Sequence, residues 1–381
     1  MRYGKILLMG VLMLSTLFQT GCWSKTELPK LTIATAIGVD INENKEIELS
    51  LQLIKPRAQA SGQAKMMASI EPKQYVVINS KGKTFFDADM NLQNVIDRKV
   101  TYSNVMVIII GEKLAKEGIS EVVKLLQRQI QIPPYADVLV AVGSSAKDIL
   151  EIGSELENIP AVGISNIEKN FNECSTIIDE TLIKLIQDSK AVGKDTIVAR
   201  VYKKGPEEIA VEGCALFKGY KLIGWLDDEL TRGYRFAKGD MQSGTENFKS
   251  LIGGNTIVSM KNVNMSSKIK VNWVKGKPEF IINIQQSGSI IEMSSQLNLM
   301  KKGVIESLEE EFSSYTKESV TKMINFIKEN SIDIIGLGNI LYKFHYGYWK
   351  QVRKDWVNEL KNIPITINVQ STIERAGFLI Q

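Results

Sequence analysis

The chain reads as a mixed α+β protein of several domains, and three observations predict it. Apolar strand-like and amphipathic helix-like segments alternate between residues 75 and 142. Short strand-like runs crowd residues 196–226. The last third combines strand-like stretches with one long helical stretch near 297–329. With 44% hydrophobic and 24% charged residues, the composition is that of a globular chain able to bury a core.

The N-terminus comes first. Arg2 and Lys5 precede an uncharged apolar run, residues 6–18 (ILLMGVLMLSTLF). A basic start, an apolar stretch and a small residue before a cut site make a secretory leader, here residues 1–21. The run is too short to span a bilayer: as a helix at ~1.5 Å per residue it reaches about 20 Å, against ~30 Å of hydrocarbon. Cleavage between Gly21 and Cys22 would make Cys22 the lipidated first residue of the mature chain. Each buried methylene of such a lipid contributes roughly 0.8 kcal/mol to membrane attachment. Gln19 departs from the aliphatic residue usual three positions before the cysteine. The remaining 360 residues suggest two or three domains. Their apolar segments are short and broken by charge, so the body is expected to be soluble and tethered.

Residues 23–30 read as a polar tether. Residues 31–39 (LTIATAIGV) and 47–54 (IELSLQLI) predict a hairpin around the turn at Asn42–Lys45. Residues 55–72 lack periodicity and read as a loop. The run 75–79 (YVVIN) is a strand, and Phe85, Ala88, Leu92, Val95 and Ile96 stripe a helix over 84–98. Residues 105–110 (VMVIII) suit a strand buried on both faces. Ile119, Val122, Val123, Leu126 and Ile130 stripe a second helix, ended by Pro133 and Pro134, and 136–142 (ADVLVAV) returns as a strand.

Residues 144–193 read as mostly helical, and the character changes after Gly193. Strands are expected at 196–201, 209–217 and 222–226, and the Gly-rich polar stretch 227–254 is expected to be a domain boundary. The last third predicts a three-strand meander at 256–263, 268–274 and 280–290. The helix over 297–329, two shorter helices and a closing strand at 363–373 follow. The predicted divisions are therefore a leader 1–21, a mixed α/β domain 22–194, a strand-rich middle domain 195–254 and an α+β domain 255–381.

Chemistry-bearing motifs are sparse. The net charge is +4, falling to about +2 without Arg2 and Lys5, and the two signs are interspersed. That excludes the basic stripe of a nucleic-acid-binding protein. His345 is the single histidine, so His-rich metal sites and His-dependent nucleophile triads are excluded; a packed or surface role is expected for it. Gly336-Leu337-Gly338 reads as a helix-entry turn, and Asp227-Asp228-Glu229 as a solvated helix N-terminus. Cys174 and Cys214, expected in a helix and a strand, predict two buried free thiols rather than a disulfide. No catalytic constellation, cofactor site or metal site is predicted. The densest feature is aromatic. Trp349, Val352, Trp356 and Leu360 recur at helical spacing. Core packing is one reading of that face, and a protein-contact surface through Tyr348, Trp349 and Trp356 is the other.

Several stretches carry a resemblance. Gly21-Cys22-Trp23 with Glu27-Leu28, then Gly38-Val39-Asp40, resemble the start of the Ger(x)C family of spore germination receptor C-subunit lipoproteins. Val105 to Gly111 with Glu112 to Ile119 continues the match. So do Gly213-Cys214-Ala215-Leu216-Phe217-Lys218-Gly219, Leu222-Ile223-Gly224 and Thr231-Arg232-Gly233. Asp333, Gly336-Leu337-Gly338, Trp349, Trp356 and the last strand through Gly377 complete it. Ser24, Gly347 and Leu360 depart from the family pattern. The resemblance implies a three-domain extracytoplasmic lipoprotein on the outer face of the inner spore membrane, anchored through Cys22 by a diacylglyceryl and palmitate modification. It also implies partners: the integral-membrane A and B subunits of a nutrient (germinant) receptor that triggers germination. The expected role is non-enzymatic. Two other readings are a solute-binding lipoprotein of a transporter, which needs two comparable α/β lobes, and a tethered cell-wall hydrolase, which needs paired carboxylates or a metal in one groove.

Overall fold

The computed structural model describes residues 3–4, 30–55, 73–128, 131–152, 157–295, 298–299 and 301–375. Cys22, the leader cleavage site and most of the 55–72 loop lie outside the described residues.

The first half builds one mixed sheet. β1 (Leu31–Ile41) and β2 (Ile47–Ile54) form the expected antiparallel hairpin, with β3 (Tyr75–Gly82) on its outer edge. α1 (Phe85–Gln93) follows, capped by the Thr84 side chain and shorter than the predicted helix. β4 (Lys99–Thr101) pairs with the start of β1. β5 (Val107–Gly111) and β6 (Asp137–Val142) then add in parallel beside β1. Between them run α2 (Glu112–Glu117) and α3 (Ser120–Arg128), and after β6 come α4 (Ala146–Glu151), α5 (Pro160–Lys169) and α6 (Leu182–Lys190).

The next three strands do not stand apart as a separate middle unit. β7 (Thr196–Lys203) hydrogen-bonds in parallel to β6, and β8 (Ile209–Lys218) and β9 (Lys221–Leu226) continue from it antiparallel. The strand order is β3-β2-β1-β5-β6-β7-β8-β9, with β4 on β1. The unbroken apolar runs of β5 and β6 follow from burial on both faces. Val107 and Ile109 point into one core, Ile108 and Ile110 into the other.

The stretch 227–254, read as a boundary, is ordered structure. It holds α7 (Asp228–Lys238) and β10 (Gly244–Ser250). Asp227 caps the helix by accepting the Leu230 N–H at 2.9 Å, and Gly239 closes it in the left-handed conformation. The expected meander is instead one long hairpin of β11 (Thr256–Val274) and β12 (Lys277–Met293). Register shifts at 259–260 and 261–264 absorb the break in alternation that reads as a gap between two strands. Lys275 and Gly276, both at positive φ, make the turn. α8 (Val304–Glu329), α9 (Leu337–Phe344), α10 (Tyr346–Val352) and α11 (Trp356–Asn362) follow. β13 (Ile365–Arg375) returns parallel to β12, and the second sheet runs β10-β11-β12-β13. Among the described residues no helix is long and apolar enough to cross a membrane.

The two halves share one core. A cluster under the first sheet, including Ala36, Val107, Leu139 and Ala199, runs through Tyr234 and Phe236 of α7 to Phe248, Phe280, Phe312 and Ile324 of the second half. α7 is the wedge. Gly233 lets it touch α8, since a Cβ there would stand 2.4 Å from the Ser319 carbonyl oxygen.

Candidate contact face and the joint behind it

Many of the residues that carry the family resemblance lie in two joints between segments distant in sequence. The first joint is at β1. The buried Asp40 carboxylate accepts the N–H groups of Ala146 at 3.0 Å and Lys147 at 3.2 Å, so it caps α4 across the sheet. A Cβ on Gly111 would sit 1.9 Å from Asp40 Oδ1, which leaves room only for glycine. Burial pushes the Asp40 carboxyl up, while the two backbone donors pull it down.

The second joint ties the halves together. The Asp195 N–H donates to the Asp333 carbonyl at 2.8 Å, and the Asp333 N–H donates to Asp195 Oδ2 at 2.8 Å. The fully buried Asp333 carboxylate accepts N–H groups of Gly336, Leu337 and Gly338 at 2.7–3.0 Å. It also accepts the Trp356 Nε1–H at 2.9 Å. Gly336-Leu337-Gly338 is thus the helix-entry turn expected, capped by an acid three residues upstream. Burial pushes the Asp333 carboxyl up to about 6, against the pull of these four donors. Gly193 and Gly338 let the chains cross: a Cβ on Gly338 would lie 2.6 Å from Trp356 Nε1 and 2.8 Å from the Gly193 carbonyl oxygen.

Arg235 is the functional-looking residue that the sequence pattern hid. Its side chain is 1% exposed. Its Nη1 donates to the backbone carbonyls of Phe171, Cys174 and Ile177, and its Nε to Asp240 Oδ1 at 2.9 Å. The available signal was its position four residues after Thr231, on the face that also buries Tyr234 and Phe236. The arginine holds the 171–177 segment against α7. Cys174 in that segment is exposed rather than buried, and it is neither in a helix nor disulfide-bonded; Cys214 is a buried free thiol whose sulfur lies 3.5 Å from Thr231 Oγ1.

The aromatic run divides between core and surface. Trp349 and Trp356 are 4% and 5% exposed and pack edge to face at 5.6 Å, so neither offers a contact surface. They are buried because their stripe of α10 and α11 lies over the Gly193–Gly338 crossing. Tyr348 is half-buried and donates to Glu359 Oε1 at 2.8 Å. Their neighbours face outward. Phe344 is 74% exposed, and Tyr342, Tyr346, Trp273 and Val274 are exposed around it. Trp273, at the tip of the long hairpin, meets His345 and Tyr348 at 5.3 Å each, so hairpin and helices make one continuous face. That face is cationic. Residues 268–279 and 340–361 carry nine Lys or Arg and three Asp or Glu, a net +6 in a chain of net +4. Beside it, a cleft of about 790 Å³ opens between the halves, lined by Lys190, Lys194, Lys238 and Lys343 with Asp188 paired to Lys194.

These features define a class: an α+β protein of two unlike sheets, of nine and four strands, locked together and presenting an aromatic, cationic surface. The unequal sheets are not the two comparable lobes of a solute-binding protein. Comparison with known proteins agrees. Residues 24–202 match the family described as spore germination protein N-terminal domain, and residues 212–377 the one described as spore germination B3/GerAC like, C-terminal. Spore germination protein KC of Bacillus subtilis (strain 168) is 25% identical over 98% of this chain and 96% of its own length. Spore germination protein B3 of the same organism is 23% identical over 88% of each chain. The solved structure titled "Crystal Structure of the GerBC protein" shares the fold, with a TM-score of 0.57 and 17% identity over 89% of this chain and 96% of that one. The chain belongs to the Ger(x)C family of spore germination proteins, the C-subunit family of germinant receptors.

Proposed function

We propose that this protein is the lipid-anchored C subunit of a membrane receptor for nutrient germinants and helps trigger spore germination without catalysing a reaction itself. The observation that carries the reading is the similarity to a spore germination protein along 98% of the chain, through both family segments. The leader pattern supports anchoring through Cys22 on the outer face of the inner spore membrane, beside integral-membrane A and B subunits. Tethering holds the body at high local concentration near those partners, so weak contacts through the aromatic, cationic face suffice.

Replacing Cys22 with Ala tests the anchor. The expected outcome is loss of the protein from spore membrane fractions together with slower nutrient-triggered germination. Retention in the membrane with normal germination would contradict the anchoring role.

A further inference from the structure

Away from the joints and the contact face, three carboxylates meet at the start of β6. Asp137 opens that strand, Glu168 lies in the last turn of α5, and Asp179 stands in the connector leading to α6. One oxygen from each lies within 4.8 Å of the others. The backbone sets this arrangement. Asp137 bridges Thr181, the Val138 N–H donates to the Glu180 carbonyl at 2.8 Å, and the Leu182 N–H donates to the Ala136 carbonyl at 2.9 Å. The connector therefore lies alongside the strand, and Asp137 and Asp179 face the helix end from fixed positions.

Glu168 makes this more than a group of acids. It is 2% exposed, and its Oε2 is buried with no hydrogen-bond partner. Its other oxygen accepts a long bond, 3.4 Å, from the Glu180 N–H, and its carboxyl lies against that of Asp137, within hydrogen-bonding reach when the two hold one proton between them. Lys184 pairs with Asp179 at the solvent side. No lysine or arginine side chain pairs with Glu168 among the described residues. The carboxylate also sits at the helix end whose dipole repels negative charge. A buried carboxylate that lacks a cation, faces two further acids and opposes a helix dipole is costly unless positive charge is supplied.

We propose that Asp137, Glu168 and Asp179 bind a hard divalent cation, with calcium the best fit. The donor set is all oxygen, as calcium requires, with no nitrogen or sulfur. Calcium lies about 2.3–2.6 Å from each ligand oxygen, so oxygens on one ion stand up to about 5 Å apart, as these do. Asp137 and Asp179 are half-exposed, which leaves an entry path and room for water ligands. The ion would join α5, β6 and the connector into α6, whose far end leads to Gly193 at the joint between the halves. This inference stands apart from the receptor reading and from the anchor at Cys22.

The test is calcium binding to the purified full chain, stripped with EDTA, followed by titration calorimetry and thermal unfolding. Calcium added to about 10 mM exceeds the ~10⁻⁴–10⁻³ M affinities typical of extracytoplasmic modules. The expected result is one ion per chain, saturating in the calorimetric titration, and a rise in Tm of about 2–4 °C at about 10 mM calcium, smaller with magnesium. Glu168→Gln should lose the calcium-dependent shift and, without calcium, unfold no earlier than wild type, because it removes an unpartnered buried charge. Asp179→Asn, at a half-exposed position, should weaken calcium binding at least about tenfold in a chain that still folds. Absence of any calcium effect in the wild type would overturn the proposal, and so would an undiminished effect in both variants. If Asp137 and Glu168 instead share a proton, wild type and Glu168→Gln will behave alike with and without calcium.

Discussion

Asp333 shows how much one side chain organises. It ties the first half to the second by exchanging hydrogen bonds with Asp195, starts α9 by capping three N–H groups, and fixes the Trp356 indole. Burial raises its carboxyl from 3.8 to about 6. In that window the folded chain holds a proton that the unfolded chain has lost. Its contribution to stability is therefore complete below about pH 4 and disappears as pH rises through 6, a difference of up to about 3 kcal/mol. Urea unfolding of wild type and Asp333→Asn at pH 4.5 and 7 should show this term in the wild type and not in the variant; parallel pH dependences would refute it. The Gly336-Leu337-Gly338 turn was legible from sequence, whereas the acid that caps it was visible only as a matching residue. Arg235 was less legible still, because a charged residue on an apolar helix face breaks the pattern used to find such faces. Three of its four partners are backbone carbonyls, which no sequence pattern encodes.

At the scale of elements, strand and helix periodicity located most of the structure. The β1–β2 hairpin, the buried β5 and β6 and the returning β13 fall within about two residues of where the sequence puts them, and α8 ends where expected but starts at Val304 rather than near 297. The failures have local causes. The acids Asp227-Asp228-Glu229 mark the start of α7 as the sequence reading has it, but the glycine and polar content around the helix hides its body, although Gly239 is its stop signal. β11 was read as two strands because its bulges shift the alternation. Where elements cross, glycine decides how closely. Gly338→Ala would push α9 away from Gly193 and the Trp356 indole, costing about 1–3 kcal/mol by overpacking. A lowered urea midpoint and faster proteolysis of the native chain are expected. An unchanged midpoint would mean the joint has slack that the distances deny.

The two halves are joined by one core that runs from the first sheet through α7 to the second, while a second core fills the other face of the first sheet, so the expected middle domain is an extension of the first sheet. This rigidity matters to the contact face, because the hairpin tip with Trp273 and the helices with Phe344 and Tyr346 come from different parts of the second half. Replacing Phe344 and Tyr346 together with Ala should leave folding and the proposed membrane attachment intact while lowering co-purification with the proposed integral-membrane partners several-fold. Undiminished co-purification would place the partner contact elsewhere. By itself the sequence determined the mixed α+β class, most elements and the family, since all of these are written in short-range periodicity or in ordered local motifs. Only the tertiary structure decided that Trp349 and Trp356 are core while Phe344 and Tyr346 are surface, and that Asp137, Glu168 and Asp179 share a site. The reason is physical. Periodicity says which residues share a face of one element, but what covers that face depends on strand pairing and helix crossings between segments far apart in the chain.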